Sequence, residues 1–167
     1  MSISIDTEFL RKELYVTPDS ELPLIIYRGV YPQNNENLSS FYRKLFISND
    51  WNGIWEDGIF TYQHYHETTD EVLGVAQGEA TVEFGGEKGI TTVINKGDVI
   101  IIPVNLRHRS VNASKEFIVI GAYPNENKPD NQRGKPTSLA NQKRTVALPG
   151  TDPVFGISGP LLQHWSL

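Results

Sequence analysis

The sequence predicts an all-β domain, an antiparallel barrel or two-sheet jelly roll with one or two short N-terminal helices. Three observations carry this reading. Val, Ile and aromatic residues gather in short runs bounded by turn residues. Fourteen glycines and ten prolines are available for tight turns. From Ile59 onward no helix-long segment separates the runs, which disfavours parallel βαβ topology.

The 167 residues suggest a single domain, 1–167, able to bury enough surface to fold without staples. Cysteine is absent, which excludes a disulfide framework and any thiolate metal site. The opening MSISIDTEFLRKEL interleaves Asp6, Glu8 and Glu13 with short apolar pairs and so lacks the apolar core of a secretory signal. No apolar run approaches transmembrane length. A soluble, cytoplasmic protein with no membrane partner is expected. The net charge of −5 is spread along the chain with no basic stripe, so nucleic acid is not an expected partner.

Residues 1–20 fit two patterns. Phe9, Leu10 and Leu14 can share a helical face, and Leu14, Tyr15 and Val16 can belong to an edge strand. LIIYRGVYP, between Pro23 and Pro32, reads as a strand. The period then changes. With Asn34 or Asn35 as N-cap, Leu38, Phe41 and Leu45, flanked by Tyr42 and Phe46, recur at helical spacing until SNDWNG. Trp51 and Trp55 fall in WNGIWEDG, which reads as a turn-rich lead-in whose aromatics pack over a barrel end rather than stack a ligand. Strands are expected over 59–66, 71–76, 79–84, 90–95, 98–103 and 116–122. Glycine-containing turns at 85–89 and 95–97 join three of them. NENKPDNQRGKPTSLANQKR, after Pro124, is almost devoid of apolar residues and reads as a solvated loop. The apolar tail TVALPGTDPVFGISGPLLQHW is expected to return over the barrel or a dimer partner.

Three of the four histidines lie within runs that otherwise read as buried strand, and histidine is a poor core residue unless bound to something. In a strand, His64 and His66 share one face with Phe60 and Tyr62, while Gln63 and Tyr65 point the other way. ETTD makes a polar turn, after which Glu71 heads an inward row with Leu73 and Val75. His108 follows the run VIIIP. Taken singly, each has an ordinary explanation: a surface His pair, an exposed Glu beside a turn, a solvated basic loop between Arg107 and Arg109. If the strands are neighbours, three imidazoles and a carboxylate converge inside the barrel. That set suits a divalent transition metal, Fe, Mn, Ni, Co or Zn, and leaves positions open for water or substrate. Tyr62 and Arg107 are the candidate catalytic residues. Tyr62 shares the inward face, where simple packing is its competing role, and Arg107 could meet an anionic substrate or be a solvated arginine at a strand end.

The glycine spacings add a second signal. Gly58, five residues, His64-x-His66, four residues, Glu71, six residues and Gly78 (58–78) reproduce the first motif of the cupin superfamily. Gly97, five residues, Pro103, four residues, His108, three residues and Asn112 (97–112) reproduce the second, except that Asn105 stands where glycine is usual. Asparagine is the non-glycine residue best able to adopt the left-handed conformation such a turn wants. With WNGIWEDGIFTYQHYHETTDEVLGVAQGEA, EFGGEKG, GAYP and DPVFGISGPL, the chain resembles small stand-alone microbial cupins of the type-2 kind over roughly residues 23–165. The resemblance implies a cupin jelly-roll barrel, a metal held by His64, His66, Glu71 and His108, and a homodimer. It supplies no substrate, since one fold hosts many functions. A metal-dependent enzyme acting on a small molecule, dioxygenase-, oxidase- or isomerase-like, is the leading expectation, with oxidoreductase chemistry ahead of isomerisation. A non-catalytic small-ligand binder or sensor is the alternative, and the complete ligand set argues against a metal-free sugar isomerase.

Overall fold

The computed structural model describes residues 3–133 and 143–167. Strands β1 (Ile5–Asp6), β2 (Arg11–Tyr15), β3 (Leu24–Arg28) and β4 (Tyr31–Pro32) precede helix α1 (Leu38–Ser48). Then come β5 (Trp51–Asp57), β6 (His64–Tyr65), β7 (Glu71–Gln77), β8 (Glu79–Phe84) and β9 (Ile90–Asn95). β10 (Val99–Ile102), β11 (His108–Ala113), β12 (Ile118–Pro124), β13 (Gln132–Arg133) and a short helix α2 (Leu161–His164) complete the order. Two antiparallel sheets face each other, one ordered β2-β3-β10-β7-β12-β5 and the other β13-β6-β11-β8-β9, with β1 and β4 paired separately.

The central strands of the six-stranded sheet, β3, β10, β7 and β12, are buried on both faces, and this explains their unbroken apolar runs. Their side chains alternate between two cores, as the pleat requires. Ile25, Tyr27, Val72, Ala76, Val99, Ile101, Ile120 and Ala122 pack outward against α1 and the C-terminal tail. Leu24, Ile26, Leu73, Val75, Ile100, Ile102 and Val119 pack inward against the second sheet, which offers Ala80, Val82, Phe84 and Ile94. Glu71 precedes Leu73 by two residues and so lies on the inward side, as the sequence predicts. Across the outer face, a Cβ on Gly74 would fall 2.6 Å from the Tyr42 ring of α1. The absence of a side chain lets the helix approach the sheet.

Several expectations require adjustment. Residues 5–6 and 11–15 are strand, so α1 is the one helix of the N-terminal part. Its N-cap is Asn37, whose side chain accepts from Ser40 N at 2.9 Å, because Asn34 turns instead onto Glu36 N. WNGIWED is strand β5, paired with β12 across a bulge between Gly121 and Tyr123, and Gly53 within it adopts φ +71°. The strand expected over 59–66 shrinks to His64–Tyr65. Ahead of it, Phe60 O accepts from Ser110 N at 2.9 Å. The run beginning at His108 is a strand that sequence reading missed, because its buried side chains, His108 and Ser110, are polar while Val111 is exposed. The tail folds back as expected. Buried Asp152 gathers the Tyr27 hydroxyl and the amides of Val154, Phe155 and Leu161, and Trp165 Nε1 donates to Pro23 O at 2.9 Å. Among the described residues, no helix is long and apolar enough to cross a membrane.

Gly74→Ala is expected to cost about 1–3 kcal/mol by forcing the Tyr42 ring and α1 off the sheet. Urea unfolding measures it, and an unchanged midpoint would show that the helix yields freely.

Candidate metal centre

Backbone pairing assembles the site. His108 pairs with His64 across β11 and β6, and Ile102 pairs with Glu71 across β10 and β7. Between β10 and β11 the chain turns through Asn105, at φ +72°, so asparagine does adopt the left-handed conformation where glycine is usual. The turn's Asn105 N donates to His66 O at 2.8 Å, tying the second motif to the first.

Histidines 64, 66 and 108 offer ligand atoms that all lie within 4.8 Å of one another. His66 Nε2 stands 3.3 Å and His108 Nε2 3.6 Å from Glu71 Oε1. Neighbouring donors around one ion at bond lengths of about 2.1 Å lie about 3 Å or slightly more apart, so these separations suit a shared cation. Each ring is also held from behind. His64 Nδ1 meets Tyr62 O at 3.2 Å, His66 Nδ1 meets Asp130 O at 2.5 Å, and His108 Nδ1 meets Leu106 O at 3.0 Å. A carbonyl oxygen can only accept, so each Nδ1 carries the proton and Nε2 is left as the lone-pair donor of the neutral ring. Such outer partners fix both tautomer and ring orientation at metal sites.

The charges agree. Burial, then the neighbouring His108, pushes His64 down to about 3, which keeps it a neutral lone-pair donor. Burial also pulls on His66, but Glu71 and then Asp130 outweigh it and raise it to about 9, so its Nε2 carries a proton toward Glu71 that a bound cation would replace. Glu71 is 3 % exposed. Burial works against its charge, yet His66 and His108 hold its carboxyl well below the usual range. The residues thus form a buried pocket of nitrogen and oxygen donors that can hold a divalent transition ion once His66 releases its proton.

The cluster opens on a cavity of about 310 Å³. Trp55, Ile59, Phe60, Leu73, Tyr123 and Pro129 supply the apolar and aromatic part of its wall. The Tyr123 phenol is raised far above its ordinary value by burial and then by adjacent Glu71. Sequence reading did not single out Tyr123 as a site residue, because it lies on β12, remote along the chain from either motif. Trp55, read as packing, both packs flat on Gly121 and lines the cavity.

The two candidate catalytic residues stand elsewhere. Tyr62 stacks on Phe60, with ring centroids 4.7 Å apart, and carries the Arg133 guanidinium 3.8 Å from its own centroid. Its hydroxyl accepts from Asn131 at the cavity edge, but Tyr62 itself is not among the lining residues. Arg107 is not among them either. Its Nε and Nη2 are committed to Asp19, at 2.9 and 3.0 Å.

The segment after Pro124, expected to be a solvated loop, docks on the site over residues 128–133. The Asp130 carboxylate accepts from Glu67 N, Thr68 N and the Thr68 hydroxyl while its carbonyl holds His66, and β13 pairs with β6. Burial works against the Asp130 charge, but the amides of Thr68 and Glu67 hold its carboxyl below the usual range. Residues 134–142 of that expected loop lie outside the described residues. Arg144 beyond them is buried, forming a bidentate pair with Asp70 at 2.9 and 2.8 Å. Asp70 Oδ1 also accepts from Val104 N. The polar turn ETTD therefore anchors this segment through both Thr68 and Asp70.

A family model described as the cupin domain matches residues 55–120, which contain all four residues of the cluster. The chain belongs to the cupin family. The uncharacterized protein YjlB of Bacillus subtilis (strain 168) is 32 % identical to it over 168 residues, covering 99 % of each chain. A germin-like protein of Mesembryanthemum crystallinum is 29 % identical over 135 residues, 70 % of this chain and 53 % of that protein. Among solved structures, acireductone dioxygenase from Bacillus anthracis, with cadmium in its active centre, covers 55 % of this chain and 63 % of its own at 19 % identity and a TM-score of 0.39. That likeness bears on neither the activity nor the ligands of this chain.

Asp70→Asn leaves the buried Arg144 guanidinium without its counter-charge and is expected to cost about 3–5 kcal/mol. Urea denaturation reads this directly, and a loss below about 1 kcal/mol would show that the pair does not hold the segment in place.

Proposed function

We propose that the protein is a metal-dependent enzyme acting on a small molecule, with a divalent transition ion held by His64, His66, Glu71 and His108. The observation that carries this reading is the set of three back-bonded imidazoles whose remaining ring nitrogens converge beside an ionised, buried carboxylate at the edge of a cavity. Such an ion, when bound, activates dioxygen if it is iron(II), or polarises a carbonyl if it is manganese, nickel or zinc. The full donor set supports oxidoreductase chemistry of the dioxygenase or oxidase kind ahead of isomerisation by acid/base groups alone.

The chain's own residues have distinct tasks in this scheme. The carbonyls of Tyr62, Leu106 and Asp130 hold the Nδ1 protons and aim the rings. Glu71 supplies the negative charge that a dication needs in a buried site. The Tyr123 hydroxyl, next to Glu71 and on the cavity wall, is placed to donate a hydrogen bond to that carboxylate or to a ligand oxygen. The apolar wall excludes water from the reacting end of a ligand. The proposal also takes the protein as one cupin domain, 1–167, homodimeric and cytoplasmic. Edge strand β2 and the residue after it leave Leu14 and Val16 exposed, which supports pairing with a second copy.

Protein purified without chelator is expected to carry close to one transition metal ion per chain by elemental analysis, and His64→Ala/His108→Ala to carry almost none. Equal metal in both would sink the ligand assignment. With the native metal in place, dioxygen consumption is expected with one member of a panel of diketones, thiols and phenols. Saturable binding across the panel without turnover would make the protein a binder instead.

A further inference from the structure

We infer that the ligand of this cavity is a small molecule with an uncharged, apolar and preferably aromatic body, whose polar end reaches the metal; the inference rests on the metal site proposed above. Size sets the first limit. At about 310 Å³ the cavity stands at the low end of the roughly 300–1,000 Å³ usual for small-molecule sites, which leaves room for a ring-sized body.

The wall sets the second. Phe60 lies edge-on to His64, with centroids 5.1 Å apart at 82°, and Tyr123 lies edge-on to His66 at 6.4 Å and 85°. Aromatic surface therefore flanks the cluster on two sides, and an apolar body joined to a metal-bound group would lie against it. Phe60 is also 51 % exposed, an apolar ring left facing solvent at the cavity edge, where a ligand would cover it.

Charge sets the third limit. Among the described residues lining the cavity there is no lysine or arginine, whereas Asp57 and Asp130 stand there beside Glu71. Two guanidiniums near the mouth are paired with carboxylates, Arg107 with Asp19 and Arg144 with Asp70, and Arg133 lies over the Tyr62 ring outside the lining. A second anionic group, such as a carboxylate or phosphate tail, would be desolvated among carboxylates without a counter-charge. One anionic group can be neutralised by the ion, and among the described lining residues a second meets no lysine or arginine.

Cobalt(II)-loaded protein titrated with hydroxamates separates the two levels, because all of them offer the metal the same chelating head. Acetohydroxamate tests the metal alone, benzohydroxamate adds a ring, and the monohydroxamate of succinic acid adds an anionic tail. Visible cobalt absorption and titration calorimetry both report binding, with no need for turnover. Benzohydroxamate is expected to bind roughly ten- to a hundredfold more tightly than acetohydroxamate, from burial of the ring. The succinic compound should bind more weakly than acetohydroxamate, and Phe60→Ala should reduce the ratio between the first two. Equal affinities for benzo- and acetohydroxamate, or tightest binding of the succinic compound, would overturn the ligand class while leaving the metal site standing. Failure to take up cobalt, or no response to any of the three, would overturn the metal reading and this inference with it.

Discussion

An ionised carboxylate at 3 % exposure is the constraint on which the rest of this structure depends. Burying Glu71 alone would be costly, and the barrel lowers that cost by directing two imidazoles at one of its oxygens. This arrangement tolerates little slippage. Glu71 reaches the inner core because β7 alternates with the register set by β10, and a one-residue slip would turn it toward α1 and bring Val72 inward. The same limit applies to His64, placed by its pairing with His108. The six-stranded sheet, held between two apolar cores, is the rigid frame that keeps the register.

Around this core, polar contacts hold the mouth. Asp130 and Arg144 come from a part of the chain with little apolar content, yet both dock on the stretch between His66 and Glu71. One does so through the Glu67 and Thr68 amides, the other through Asp70. Asp130 links this docking to the site itself, since its carbonyl fixes the His66 ring while Pro129, Asp130 and Asn131 line the cavity. A shift of this segment would therefore change both the orientation of one histidine and the shape of the space before it.

Much of the fold could be read from the chain because the strands follow simple periods. β8 and β9 fall where alternation and the Gly85-Gly86 turn place them, and β7 and β10 agree to within a residue. Reading failed where tertiary contacts override local pattern. WNGIWED contains the turn-like Asn-Gly pair, yet β12 offers a partner strand, and Gly53 absorbs the local irregularity with a positive φ. HRSVNA buries polar His108 and Ser110 and exposes Val111, so no inward apolar alternation announces a strand, yet β8 and β6 pair with it on either side. Arg107 sits next to His108 in sequence but precedes β11, and its guanidinium pairs with Asp19.

The sequence by itself determined the all-β class, the pairing of His64 with His66 on one face, the inward aim of Glu71, and the addition of His108 to them through two spaced motifs. The first three follow from strand periodicity, which is local and written in consecutive residues, and the addition of His108 follows from the resemblance of the two spaced motifs to those of the cupin family. Only the tertiary structure decided what surrounds the cluster: Tyr123 beside Glu71, the Asp130 carbonyl behind His66, aromatic rings on two sides, and no free basic group on the described wall. Asp130 lies 64 residues from the histidine it holds, and contacts over such distances are set by the packing of strands and segments that no local period encodes.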